Sequence, residues 1–340
     1  MTTSIPTVPI IKATGFVGKQ GSGGSHPLLL RLEDGRVAHV KFQKNPQSTR
    51  SLINDLIGTV IGRYLDAPVA EAVFVDVRAT MRAQVPYLTK YRWLPGLQFG
   101  TLYINNAIPI KKFKPYHDIA NVSDLPLSAL LETWLFNRDV KLSHILCIPE
   151  HNHARLMLVD HGFIFPQGPL WSIHDLKRHR RNFPWPNSLT WVARQTSSRF
   201  HFDDAVNRIS TLSRDDLAAM INLVPAEWGL SSRRIKAIID FLVYRQNKLE
   251  NVAKDLETLW NRHKTRDDDI PLPPLSSSQN IKSADDSSSP KPTPRLNSIA
   301  FEEFSHRAST PSQEDSSLRF SERIRKSGSK PAHPLRENMP

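Results

Sequence analysis

One cysteine, Cys147, stands among the 340 residues, so the chain cannot close a disulfide on itself, and a reducing compartment is the setting that fits. Long apolar runs are missing as well, and Met1–Pro9 has neither the basic region nor the hydrophobic core of a secretory leader; no membrane association and a cytoplasmic location are therefore expected. No Walker A sequence occurs, and no Gly-x-Gly-x-x-Gly lies between a strand and a helix, which sets aside the common P-loop and dinucleotide folds. The Gly-x-Ser-x-Gly elbow of the serine hydrolases is absent, and Cys147 sits inside an apolar strand-like segment that suits core packing rather than nucleophilic attack.

Apolar side chains are also scarce in one long stretch. From Thr265 to Pro340 the 76 residues include 16 Ser and 10 Pro, with 11 basic and 11 acidic side chains. Too little apolar surface is available there to offset the ordering of the chain, so residues 265–340 are expected to be a disordered Ser/Pro-rich tail, as a solvated extension or a phosphorylated or partner-binding segment. The whole net charge of +12 then falls on residues 1–264. A basic folded part suits nucleic acid, an acidic protein, or a nucleotide with its phosphates, and charge does not choose among them.

What is present begins with β-structure. Val8–Ile11 is strand-like, a Gly-rich stretch follows at Gly21, Gly23, Gly24 and Ser25, and Leu28–Leu32 and Val37–Phe42 flank the turn Glu33-Asp34-Gly35 as a hairpin. Apolar residues recur at helical spacing from about Ser48 to Asp66, and Ala72–Val77 is another strand. Beyond Tyr91 the pattern turns helical. Leu127–Phe136 is an expected helix ending at Asn137, Ile145–Phe165 an expected hairpin with its turn at Glu150–His153, and Asp215–Leu223 and Ser231–His263 are helical, the last with an apolar stripe interrupted by Arg245. The expected architecture is α+β with two lobes, a β-rich one at about residues 8–92 and a helical one at about 93–264.

Two aspartates close polar motifs at the ends of apolar segments. Asp139 ends Trp134-Leu135-Phe136-Asn137-Arg138-Asp139, and Asp160 follows the strand-like Arg155–Val159 and precedes His161-Gly162. Phosphoryl transfer uses such a layout: one Asp takes the proton of the attacking hydroxyl, a polar residue five positions later holds metal, and a second Asp before a Gly binds Mg²⁺. Here the residue five positions after Asp139 is His144. Lys41, ending a strand behind a Gly-rich hairpin, is placed to meet phosphate oxygens, and Asp55 is the acidic residue on the next helix that would hold it. Gly23, Gly24 and Ser25 would approach the phosphates through backbone amides. His144, His151, His153 and His161 invite a zinc reading, weakened by the single cysteine and by the turn expected at His151 and His153. Lys177–Arg181 beside Phe183 and Trp185 is the combination that phosphate contact and base stacking use, and it is equally a solvated face next to a core aromatic.

Val40-Lys41-Phe42-Gln43-Lys44-Asn45-Pro46-Gln47, Leu52-Ile53-Asn54-Asp55, Gly96-Leu97-Gln98-Phe99-Gly100, Trp134–Asp139, Val159–Gly162 and Pro225-Ala226-Glu227-Trp228 together resemble the stand-alone HipA-like kinase domain of bacteria, over about residues 8–262. The resemblance implies a two-lobed protein-kinase-like or lipid-kinase-like fold that uses ATP and Mg²⁺ and acts on a protein substrate, with Lys41 on the nucleotide phosphates, Asp139 as the catalytic Asp and Asp160 as the Mg²⁺ ligand. Three positions depart from the family pattern: Val140 stands for an Arg, His144 for the metal-binding Asn, and Asp55 for a Glu. Loss of the Arg removes a fixed cation beside the catalytic loop, and an imidazole ligand favours a softer ion such as Mn²⁺. The expectation is an impaired or atypical serine/threonine kinase, the alternative a catalytically silent pseudokinase that binds a nucleotide or a regulatory partner.

Overall fold

Strands β1 (Ile10–Lys19), β2 (Leu28–Leu32), β3 (Val37–Lys41), β4 (Ala72–Val77) and β5 (Gly96–Leu102) close a barrel in the order β1-β2-β3-β5-β4 in the computed structural model. The structure describes residues 4–19, 24–85, 88, 93–114 and 116–262, so Gly23 and the tail expected at 265–340 lie outside the described residues. The β2–β3 hairpin forms at the expected turn, where Gly35 takes φ +85°, a conformation that suits a residue without Cβ. β1 is longer than the strand expected at Val8–Ile11, and shifts of register at Ala13/Gly15 and Phe16/Gly18 bend it so that it meets both β2 and, in parallel, β4.

Period-two alternation sorts the side chains of the barrel. On β4, Val73, Val75 and Val77 fill the interior with Leu30, Val40 and Phe42, while Ala72 and Phe74 face outward onto helix α1 (Arg50–Tyr64) and its core. α1 is buried from Ser51 to Gly62, because it packs against β4 and β5 on one side and against helical elements on the other. A short α2 (Met81–Gln84) follows β4. The expected seam near residue 92 moves: β5 pairs with both β3 and β4 and closes the barrel, so Gly96–Leu102 belongs to the first lobe.

The second lobe is arranged around α3 (Leu125–Trp134), every residue of which is buried. It starts and stops two residues before the expected span. Pro126 is tolerated in the first turn, where its missing N–H costs nothing, and Phe136 ends the helix by taking φ +61°. Strands β6 (Ile108–Pro109), β7 (Ile145–Glu150) and β8 (His153–Leu158) form a small antiparallel sheet, with His151-Asn152 as the tight turn and Cys147 fully buried. α4 (Ile173–His179), α5 (Asn187–Gln195), α6 (Asp203–Ser210), α7 (Arg214–Ile221), α8 (Ser232–Gln246) and α9 (Leu249–Asn261) complete it.

The single helix expected over 231–263 is two, broken at Asn247-Lys248. Arg245 is not an interruption of the apolar stripe but a buried member of it. Its guanidinium donates to the carbonyls of Trp134 (2.7 Å), Thr133 (2.6 Å) and Asn182, and lies over the rings of Phe183, Phe241 and Phe136. Burial pulls its pKa down to about 9, and carbonyl dipoles and ring faces stand in for a carboxylate.

Candidate active site

Lys41, Asp55 and Asp160 come from three elements and meet at one point. β3 alternates, with Ala38 and Val40 in the barrel and His39 and Lys41 on the opposite face toward a cavity of about 640 Å³. Lys41 Nζ donates to Asp55 Oδ2 at 2.7 Å and to Asp160 Oδ1 at 2.8 Å. The connection from β3 to α1 is fixed by Asn45, whose side chain donates to Phe42 O and Ser51 Oγ and accepts from Gln47 N, so Lys41 and Asp55 hold a set relation. Gln47 in turn packs against Gly24, where a Cβ would come within 2.6 Å of its amide; Gly24 lines the cavity and Ser25 is buried beside it.

Asp160 follows β8 in a left-handed conformation, φ +70°, and accepts from Gly162 N at 3.3 Å. A Cβ at Gly162 would lie 3.0 Å from Asp55 Oδ2 and 3.2 Å from Asp160 Oδ1, so glycine keeps this corner clear. Asn54, next to Asp55 on α1, donates to Gly162 O and Ile164 O, and Trp171 Nε1 donates to Asn54 Oδ1. His161 nests on Gly58 of α1, where a Cβ would stand 2.5 Å from His161 Cβ. The helix bearing Asp55 is thus clasped to the loop bearing Asp160.

Asp139 does not itself line that cavity; it adjoins it through Lys141, which does, and its loop is held by a different route. Its N–H donates to Asn137 Oδ1 (3.0 Å), Asn137 Nδ2 donates to Glu132 Oε2 (2.7 Å), and Glu132 Oε1 lies 3.0 Å from His161 Nε2, an ion pair whose N–H is off the line of the oxygen. One buried carboxylate therefore joins the loops of both aspartates. Sequence reasoning passed over Glu132, although a lone charge in the apolar run Leu125–Trp134 is a signal that a buried partner exists. The cation that the Val140 substitution was expected to remove is supplied one residue later: Lys141 Nζ lies 2.9 Å from Asp139 Oδ2.

Electrostatics follow from burial and these contacts. Burial pulls Lys41 down, but Asp160 and Asp55 outweigh it and hold its pKa above the ordinary lysine value. Burial pushes Asp55 up to about 6 against the opposing pull of Lys41. Asp160 is driven well below the carboxylate range, because Lys41 and then His144 outweigh its own burial. For His144, burial lowers the pKa more than Asp160 and Asp139 raise it, so the imidazole is neutral at pH 7. For His161 the balance tips the other way: burial lowers its pKa, and Glu132 more than compensates.

The candidate metal ligands admit a divalent ion. Lys41 occupies Oδ1 of Asp160, and Oδ2 faces His144 Nε2 at 3.9 Å, wider than the roughly 3.0 Å between neighbouring ligands of an octahedral ion with bonds of about 2.1 Å, so the two side chains would close in on a bound ion. Among the described residues no group of three His, Cys, Asp or Glu side chains forms such a site, so the other positions would fall to water and phosphate oxygens, as is usual for Mg²⁺ with a nucleotide. The four histidines divide: His144 faces Asp160, His161 faces Glu132, His153 pairs with Glu150 at the β7–β8 turn, and His151 is exposed in that turn. Around the basic run, Arg180 stacks on Tyr244, Arg181 donates to the Tyr244 hydroxyl, and Phe183 lies beneath Arg245, while Trp185 is 52% exposed.

The sequence profile of the HipA-like kinase family matches residues 14–263. The chain belongs to the HipA-like kinase family. The activity that membership carries is phosphoryl transfer of the kinase kind. Similar solved structures include the Helicobacter pylori proinflammatory kinase CtkA, at 12% identity and TM-score 0.47, covering 76% of this chain and 98% of that one. The Golgi casein kinase with Mn/ADP bound is 12% identical, TM-score 0.40, covering 76% and 75%, and the Shewanella oneidensis MR-1 HipA, solved with HipB and operator DNA, is 11% identical, TM-score 0.35, covering 71% and 67%. No curated protein matches the sequence at a significant level. Within the HipA-like region the motifs that carried the resemblance meet in space: Glu227 of Pro225–Trp228 accepts from Leu97 N and Gln43 Nε2, and Trp228 Nε1 donates to Leu97 O.

Proposed function

We propose that this chain transfers the γ-phosphoryl group of ATP to a serine or threonine hydroxyl of a protein. The observation that carries the reading is Lys41 Nζ held between Asp55 and Asp160 at 2.7 and 2.8 Å on the wall of a cavity that Lys141 and His144 also line. Lys41, backed by Asp55, presents a fixed charge to phosphate oxygens. Asp160 and neutral His144 are the side chains that would hold Mg²⁺ or Mn²⁺. Such an ion, when bound, neutralises charge on the phosphates. Asp139, partly exposed and paired with Lys141, accepts the proton of the incoming hydroxyl, and Lys141 adds a cation beside the transferred group.

Phosphate incorporation into a Ser/Thr acceptor tests this. Asp139→Asn is expected to lower the rate by about 10²–10⁴-fold, the usual contribution of a positioned proton acceptor, with nucleotide affinity kept. Asp160→Ala is expected to abolish metal-dependent nucleotide binding. Nucleotide neither bound nor turned over with either metal would sink the reading.

One observation favours a silent relative of this enzyme: the side chain that faces Asp160 Oδ2, at 3.9 Å, is the imidazole of His144, where Mg²⁺ prefers an oxygen ligand. Partner binding that survives loss of both Asp139 and Asp160 would select that reading, and a gain of metal-dependent binding in His144→Asn would mark His144 as the weakened ligand.

A further inference from the structure

A second cavity, of about 430 Å³, lies at the start of α1 and shares no lining residue with the Lys41 cavity. Arg50, the first residue of α1, and Arg234, in the first turn of α8, both line it, with Ser48, Thr49 and the Trp228-Gly229-Leu230 segment. Two guanidiniums on one cavity repel each other. Burial, and then the charge of Arg234, hold Arg50 below the usual arginine value.

Among the described residues neither guanidinium meets a carboxylate. Arg50 Nη1 donates to Trp171 O at 2.7 Å and its plane lies over the Trp171 ring, which fixes the side chain without neutralising it. The start of α1 adds to the positive potential: its first turn contains no acidic residue, and the Thr49 hydroxyl is turned to accept from Lys44 N instead of capping the helix. The hydroxyl oxygen of Ser48, on the same cavity wall, is buried and has no hydrogen-bond partner. Paired guanidiniums without a carboxylate between them are the donors that a tetrahedral dianion satisfies, and the positive end of α1 adds to their potential.

We propose that this cavity binds a phosphate monoester dianion between Arg50 and Arg234. Arg50 and Asp55 share one helix, so an anion held there ties the start of α1 to the start of α8 and steadies the helix that positions Lys41. Binding itself is independent of the phosphoryl-transfer reading and is tested without turnover.

Calorimetric titration of the full chain uses three probes: an acetylated and amidated Gly-phosphoserine-Gly peptide, the same peptide unphosphorylated, and inorganic phosphate. Arg234→Gln is expected to weaken the phosphorylated probe at least tenfold, and Lys41→Ala, which removes the cation of the other cavity, to change it less than twofold. Arg234→Lys, which keeps charge but loses the planar fork, should fall between, and far-UV circular dichroism confirms that each variant is folded. Tighter binding of the phosphopeptide than of inorganic phosphate assigns the ligand to a phosphorylated polypeptide, and equal binding assigns it to free phosphate. An affinity unchanged in Arg234→Gln, or a loss that follows Lys41 instead, overturns the proposal.

Discussion

His39 sits two residues before Lys41 on the same face of β3, close to the ring of Tyr103, and burial followed by the charge of Lys41 pulls its pKa from 6.5 to about 4. The unfolded chain therefore binds a proton on His39 between about pH 6.5 and pH 4 that the folded chain does not. Stability falls as pH falls through that window, by up to about 3 kcal/mol from this residue. Chemical denaturation at pH 7 and at pH 4.5 should show a smaller loss for His39→Gln than for the unsubstituted chain. At the same scale, the residue after Val140 is a cation: Lys141 Nζ lies 2.9 Å from Asp139 Oδ2.

Two elements secure the loops that bear Asp160 and Asp139, and each makes a prediction. In an ordinary helix, replacing glycine by alanine gains about 1 kcal/mol. At Gly58 of α1 the new Cβ would meet His161 Cβ at 2.5 Å and Cγ at 2.8 Å, so Gly58→Ala is expected to cost about 1–3 kcal/mol by overpacking, and to weaken nucleotide binding by displacing the neighbouring Asp160. Thermal denaturation and calorimetry read the two effects separately. In α8, Arg245 secures the last turn of α3 just before the Asp139 loop. Arg245→Lys keeps the charge but cannot reach several carbonyls at once, and a loss of about 2–4 kcal/mol is expected from bonds left unmade, measured by urea unfolding.

Across the whole molecule the lobes are joined where Gln43, Leu97 and Glu227 meet. Glu227 Oε1 accepts from Leu97 N at 2.9 Å and from Gln43 Nε2 at 3.2 Å, and Gly96 leaves room for it, since a Cβ there would stand 2.9 Å from the same oxygen. Glu227→Ala replaces the charged acceptor of both donors by water, since Glu227 is exposed, and is expected to destabilise the chain by about 1 kcal/mol. The accompanying sign would be faster amide exchange at Leu97; unchanged protection there would show that the seam does not depend on this carboxylate.

How much of this was legible in the sequence depends on how local the cause is. β2, β3, β4, the turn at Gly35, and the existence of α1 and α3 follow from alternation, helical spacing and turn residues, all set by near neighbours. Lys41, Asp55 and Asp160 were named from position and resemblance, and they share one cluster. Glu132 and Arg245 each showed a local anomaly, a single charge in an apolar pattern, but their partners lie far along the chain: His161 for the first, Thr133 and Asn182 for the second. The assignment of β5 to the barrel, the break between α8 and α9, and the meeting of Arg50 with Arg234 had no signature in local spacing. Sequence by itself determined the β2–β3 hairpin, β4, the helical character of α1 and α3, and which side chains have the chemistry for phosphate. Tertiary structure alone decided which charges face one another, because pairing of buried charges is a property of distance in space, and Lys41 and Asp160, 119 positions apart, are brought into contact only by the packed core.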